Sequence, residues 1–95
     1  MSHPREPFDQ FEAHLPPEVL EVTEDLASHV HDTWVRIRKA QGWTIGPQRD
    51  DVRKEHPCLI PYDLLPEEEK ESDRQTTLAT LRALIALGFE IRKAG

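Results

Sequence analysis

A single cysteine, Cys58, stands in a chain of 95 residues. It excludes an internal disulfide and a thiolate metal cluster, and it fits a reducing, cytoplasmic setting. No apolar run approaches the ~20 residues that a membrane span needs. The opening "MSHPREPFDQF" has no apolar stretch of the signal-peptide kind. Basic residues are in short supply: 12 Lys and Arg stand against 18 Asp and Glu, for a formal net charge of −6. General nucleic-acid binding relies on a basic face that releases counterions, and this balance argues against it. A small anion is not excluded, because a few local guanidiniums can hold a phosphate inside an acidic protein. There is no HExxH and no carboxylate-rich calcium loop, so neither a metal nor another cofactor is expected.

Aromatic residues are scarce too, at 6% of the chain. Yet both tryptophans fall in one stretch, "HVHDTWVRIRKAQGWTIGPQRDD", from His29 to Asp51. Imidazoles, carboxylates and guanidiniums surround them. A core needs apolar bulk and does not need those groups beside indole. The segment is therefore packing, a ligand cleft or a partner surface.

The length fits one domain, and a chain this short buries only roughly 60–65% of its unfolded surface. Hydrophobic residues make up 37% and charged ones 32%, but the apolar residues recur in periodic runs, as in a folded chain. A small polar domain commonly gains core by oligomerising.

Residues 1–15 hold Pro4 and Pro7 and no period, and they read as an N-terminal arm with Phe8 and Phe11 as anchors. Residues 16–95 form the domain. The first helix is predicted from Pro16-Pro17 to Gly42, with prolines at its opening turn and Arg36, Arg38 and Lys39 in its last turns. Its apolar stripe is Val19, Val22, Leu26, Val30, Trp34 and Ile37. A long connection follows, from Trp43 to Pro66, with turn signals at Gly46-Pro47 and His56-Pro57. Trp43-Thr44-Ile45 and Cys58-Leu59-Ile60 read as short extended pieces, and Asp50 to Glu55 as one turn of helix. The second helix opens after Pro66 on Glu67, Glu68 and Glu69, buries Leu78, Leu81, Leu84 and Ile85, and stops at Gly88. Phe89-Glu90-Ile91 alternates like a short strand, a natural partner for Trp43–Ile45. The expected fold is mainly α: two packed helices, a long loop and very short strands.

His31, Trp34 and Arg38 lie at i, i+3 and i+7 of the first helix and share a face. An imidazole, a flat indole and a bidentate cation suit a purine ring with its phosphate. Spacing alone favours the plainer reading, with Trp34 in the core and the other two on a solvated edge. Trp43 and Tyr62 read as caps of the small core, with Asp50 or Asp63 near enough to serve their polar atoms. Arg49-Asp50-Asp51 with Lys54 is either a contact for a ligand or partner or, more simply, a salt-bridged loop. Catalysis has little support. His31 and Asp32 point about 100° apart on a helix and form no dyad. Cys58 adjoins an apolar run and reads as buried and inert.

The blocks "LASHVHDTWVRIRKAQGWTIGPQRDD", "KEHPCLIPYDLLPEEEK" and "TLATLRALIALGFEI" resemble the ryanodine-receptor repeat, or RyR domain, over about residues 16–92. His29 stands where the family usually has Asn, and Ile45 where it has Tyr. The resemblance implies a small helical module that, in the giant calcium channels, occurs as tandem pairs related by a pseudo-two-fold axis on the cytosolic face. It implies a cleft for an adenine nucleotide or similar purine, in which His31, Trp34 and Arg38 match cleft positions and Asp73 matches a polar one. Isolated copies in bacteria and viruses suggest a sensor or sponge of nucleotide signals in phage defence. A single repeat is then expected to pair as a two-fold homodimer. The expected function is non-catalytic binding of a small nucleotide-like ligand by His31, Trp34, Arg38, Trp43, Arg49, Tyr62 and Asp73. The alternative is a protein-interaction module with no ligand of its own.

Overall fold

A computed structural model describes residues 14–94, so Phe8 and Phe11 and most of the arm lie outside the described residues. The order is α1 (Pro17–Glu21), α2 (Thr23–Ala40), β1 (Thr44–Ile45), β2 (Glu55–His56), a 3-10 turn (Tyr62–Leu64) and α3 (Glu67–Ala86). The two long helices pack on each other, and the 3-10 turn wedges against α2. No helix among the described residues is long and apolar enough to cross a membrane.

The first helix is not continuous. Val22, at φ −105° and ψ 15°, ends α1 and precedes α2. There the Thr23 hydroxyl donates to the Leu20 carbonyl at 2.9 Å, a side-chain bond that competes with helix propagation. Acids in the first turn of α2 and Arg38 and Lys39 in its last turn match the helix dipole. Gly42, at φ +91°, supplies the left-handed stop that a side chain would strain.

The strand pairing differs from the sequence expectation. Residues 89–94 have no regular structure. The partner of β1 is β2, in parallel, with Thr44 opposite Glu55 and Ile45 opposite His56. Gly46 permits this approach, since a Cβ there would meet the Glu55 Cβ at 2.6 Å. Residues 51–54 form a turn, not a helix, because Asp50 accepts from the backbone N–H groups of Val52 and Arg53, both at 3.0 Å. Cys58–Ile60 is turn and bend, not strand.

The core is small: Ala27, Tyr62 and Leu65, with Cys58 and Ile60 packed against them. It therefore uses a line of α2 rotated from the expected stripe. Ala27 is 0% exposed and His31 5%, while Val30 is 42% exposed and Ile37 51%. The reason is that α3 approaches with Thr77 and Asp73, so the helices close on a small residue and a satisfied polar one. Leu84, expected inside, is exposed.

An ionic clamp that sequence reasoning missed ties the helices together. The Arg74 guanidinium donates to Glu24 on α2, to Glu67 at 2.7 Å and to Glu71 at 3.1 Å. The Tyr62 hydroxyl donates to the same Glu24 at 3.4 Å. The hydrogen bond from Arg74 holds the Glu24 carboxyl below its ordinary value of 4.5. A carboxyl lowered on folding stabilises above the unfolded value, and that stability is lost as pH falls through the folded one. Thermal melting between about pH 5 and pH 3 should therefore show a falling midpoint, and Arg74→Gln should flatten the fall. An unchanged acid limb in the variant contradicts the clamp.

Candidate functional site

The connection 43–66 folds back so that β2 and the segment after it face α2, while the first turns of α3 close the other side. Between them lies a cleft of about 240 Å³, lined by Val30, His31, Trp34, His56, Glu69 and Asp73, with Cys58 and Leu65 deeper toward the core. Three of the seven residues singled out from sequence (His31, Trp34 and Asp73) therefore share one cavity. The other four do not line it: Arg38 lies over Trp34, Tyr62 lies behind His31, and Trp43 and Arg49 are farther out.

His31 is the buried member; one ring nitrogen is hydrogen-bonded and the other faces a carboxylate. Nε2 lies 2.8 Å from the Ile60 carbonyl oxygen, and Nδ1 lies 3.6 Å from Asp73 Oδ2. Since a carbonyl only accepts, Nε2 carries the hydrogen. Burial pushes the Asp73 carboxyl up, and the nearby His31 pulls it back down. Tyr62 backs the imidazole, with ring centroids 6.2 Å apart. Its hydroxyl goes to Glu24, not to Asp63, and burial pushes its pKa up.

Trp34 forms one wall. His31 packs tilted against it with centroids 5.6 Å apart, and His56 meets it edge-on at 5.1 Å. The Arg38 guanidinium lies over both indoles, 5.9 Å from Trp34 and 5.0 Å from Trp43. That is cation–π range, and it explains why the two tryptophans flank polar residues. Trp43 thus reaches the cleft only through Arg38. Arg49 donates to Asp51 at 2.8 Å in an exposed pair. Lys54 donates to the Gln41 carbonyl at 3.0 Å and pins the loop to the end of α2. Of the two readings of that charge cluster, the salt-bridged loop matches these contacts.

Sequence reasoning passed over His56 and Glu69. His56 is half-buried, and the Cys58 backbone N–H donates to its Nδ1 at 3.0 Å. Burial pushes the imidazole pKa down, Arg49 adds to the effect, and Glu69 opposes it. The available signal is His56-Pro57, which by itself marks only a turn. Burial pushes the Cys58 thiol up, away from the reactive thiolate. Among the described residues, no three or more His, Cys, Asp or Glu side chains are grouped to hold a metal ion.

A flat wall, two carboxylates and an imidazole with a fixed tautomer can stack and hydrogen-bond a planar polar ring. The family model described as RyR domain matches residues 3–93 of the chain.

Proposed function

We propose, from the premise that this chain belongs to the RyR domain family, that the Trp34 cleft binds a small nucleotide-like ligand without chemistry on it. The ligand class is an adenine nucleotide or a nucleotide-derived signal. The observation that carries this is the meeting of Trp34, His56, Glu69 and Asp73 around one cavity of about 240 Å³. Cavities for whole drug-sized ligands run from about 300 to 1,000 Å³, so this one suits a single base with its sugar and phosphate outside. Arg38, over the Trp34 ring, and Arg49, whose charge acts on His56, are the cations at hand for the phosphate. His31, Tyr62 and Trp43 would act as positioning residues: His31 orients Asp73, Tyr62 backs His31, and Trp43 holds Arg38. A cytoplasmic sensor and a cytoplasmic sponge both need binding, and neither needs catalysis.

The reading includes a two-fold homodimer. Leu20, Val22, Val30 and Ile37 leave apolar surface on α1 and α2 exposed, and the core beneath is small. A second copy would cover that surface isologously and replace the second repeat of a tandem pair. Sedimentation at micromolar concentration is expected to give a dimer, and a monomer contradicts it. The same exposed residues favour a second reading, a module that binds another protein and no ligand.

One experiment separates the two readings. The natively purified protein is denatured, and released small molecules are identified by mass. A nucleotide-like compound in stoichiometric amount is expected. An empty protein that also binds no adenine nucleotide in calorimetry favours the interaction module.

A further inference from the structure

We infer that His56 and Glu69 together read the amidine edge of a base, a ring nitrogen that accepts beside an exocyclic amine that donates. The inference rests on the reading of the Trp34 cleft as a base site. It adds which edge is read and by which groups.

A ring nitrogen that accepts an N–H bears no hydrogen, and His56 Nδ1 accepts from the Cys58 backbone. In the neutral ring the hydrogen is therefore on Nε2. The neutral form is favoured, because burial and then Arg49 lower the affinity of the ring for a second proton. The backbone of β2 fixes the residue through its pairing with β1. His56 lines the cleft, and the Nε2 hydrogen is the one donor its neutral ring can offer there.

Glu69 supplies the acceptor. Its neighbours Glu67 and Glu71 are spent on Arg74. Among the described residues, Glu69 shares no such ion pair, and it lines the cleft near enough to act on His56, Cys58 and Asp73. His31 is the poorer donor here, since it is buried and its Nε2 hydrogen already goes to the Ile60 carbonyl.

A donor beside an acceptor is the complement of N=C–NH2. Adenine and cytosine carry that edge at the position where hypoxanthine and uracil carry N–H beside C=O. The oxo bases invert both polarities, setting a carbonyl against a carboxylate and an N–H against an N–H. A site built on hydrogen bonds rejects a mismatched partner strongly, because its own polar groups are left unpaired.

The test is calorimetry with four probes, AMP, IMP, CMP and UMP, on wild type and three variants. Wild type should prefer an amino nucleotide over its oxo counterpart by about tenfold or more. His56→Asn places an amide oxygen where Nδ1 accepts but lacks the Nε2 donor, and it should bring the ratio toward one. His56→Gln restores an N–H near the Nε2 position and should recover part of it. Glu69→Gln alters an exposed side chain, leaves the fold intact, and should also collapse the ratio. A preference for AMP alone or for CMP alone supports the inference and says which base supplies the edge. Equal binding of AMP and IMP, and of CMP and UMP, by wild type overturns it while leaving the cleft reading standing. A full ratio in Glu69→Gln and His56→Asn overturns it too. If none of the four binds wild type, the base-site reading falls, and this inference falls with it.

Discussion

Replacing Trp34 by alanine is expected to weaken AMP binding about tenfold or more, with α2 still formed. Base–aromatic stacking is worth about 1–3 kcal/mol per base by alanine substitution, and each 1.4 kcal/mol is a factor of about ten. Trp34 provides the flat wall of the cleft, and among the described residues no other tryptophan, tyrosine or phenylalanine lines it. Its loss also frees Arg38, which lies over the ring, so a phosphate contact would weaken with it. The residue is only half-buried, so the variant should lose less stability than the roughly 3–5 kcal/mol of a fully buried aromatic truncation. Trp34→Phe keeps a stacking face and should recover most of the affinity. Calorimetry against AMP measures the effect, and far-ultraviolet circular dichroism checks the helix. Undiminished binding by the alanine variant would remove Trp34 from the site.

His31→Ala should be the most destabilising single change in the cleft, at about 3 kcal/mol or more. Removing the imidazole strands the Ile60 carbonyl, and an unsatisfied buried acceptor costs about 1–3 kcal/mol. A cavity beside Tyr62 adds a packing loss of similar size. It also leaves the half-buried Asp73 without the imidazole beside it. Small domains hold only about 5–15 kcal/mol in total, so the variant should unfold at a much lower denaturant concentration. His31→Gln can still donate to Ile60 and should lose clearly less. Equal losses for alanine and glutamine would mean that the hydrogen bond contributes nothing.

The sequence made some of this legible and hid the rest for identifiable reasons. The two long helices, the Pro66 start of α3 and the Gly42 stop follow from local signals, and the structure has them, but the break at Val22 that starts α2 at Thr23 is not among those signals. The face that α2 buries was misjudged, because counting valines and isoleucines at helical spacing assumes that the core is where the apolar residues are. Here Ala27 and His31 are inside, and Val30 and Ile37 are not. A histidine becomes a core residue only when a carbonyl from a distant loop reaches it, and no local pattern announces Ile60. The strand partner was missed for a similar reason. Phe89–Ile91 has the better alternation, but Gly46 lets Glu55 approach β1 closely. A helix face names His31 and Trp34, a family pattern adds Asp73, and the structure places all three on one cleft. His56 and Glu69 line the same cleft without a local signature, because which nitrogen is occupied and which carboxylate is left over are settled only on folding. The Glu24–Arg74 clamp spans fifty positions of sequence and has no local signature.

The central claim is that the cleft between α2 and α3 binds a nucleotide through Trp34. The most direct test is a titration of isotopically labelled wild type with AMP, read residue by residue by NMR. The account predicts saturable shifts at the Trp34 indole N–H, the His56 ring and the backbone of residues 69–73. A second groove, lined by Asp32, Arg36, Lys39, Leu59, Ile60 and Pro61, uses other residues of α2 and serves as the internal control. Shifts confined to that groove, or none at all with millimolar AMP, would contradict it.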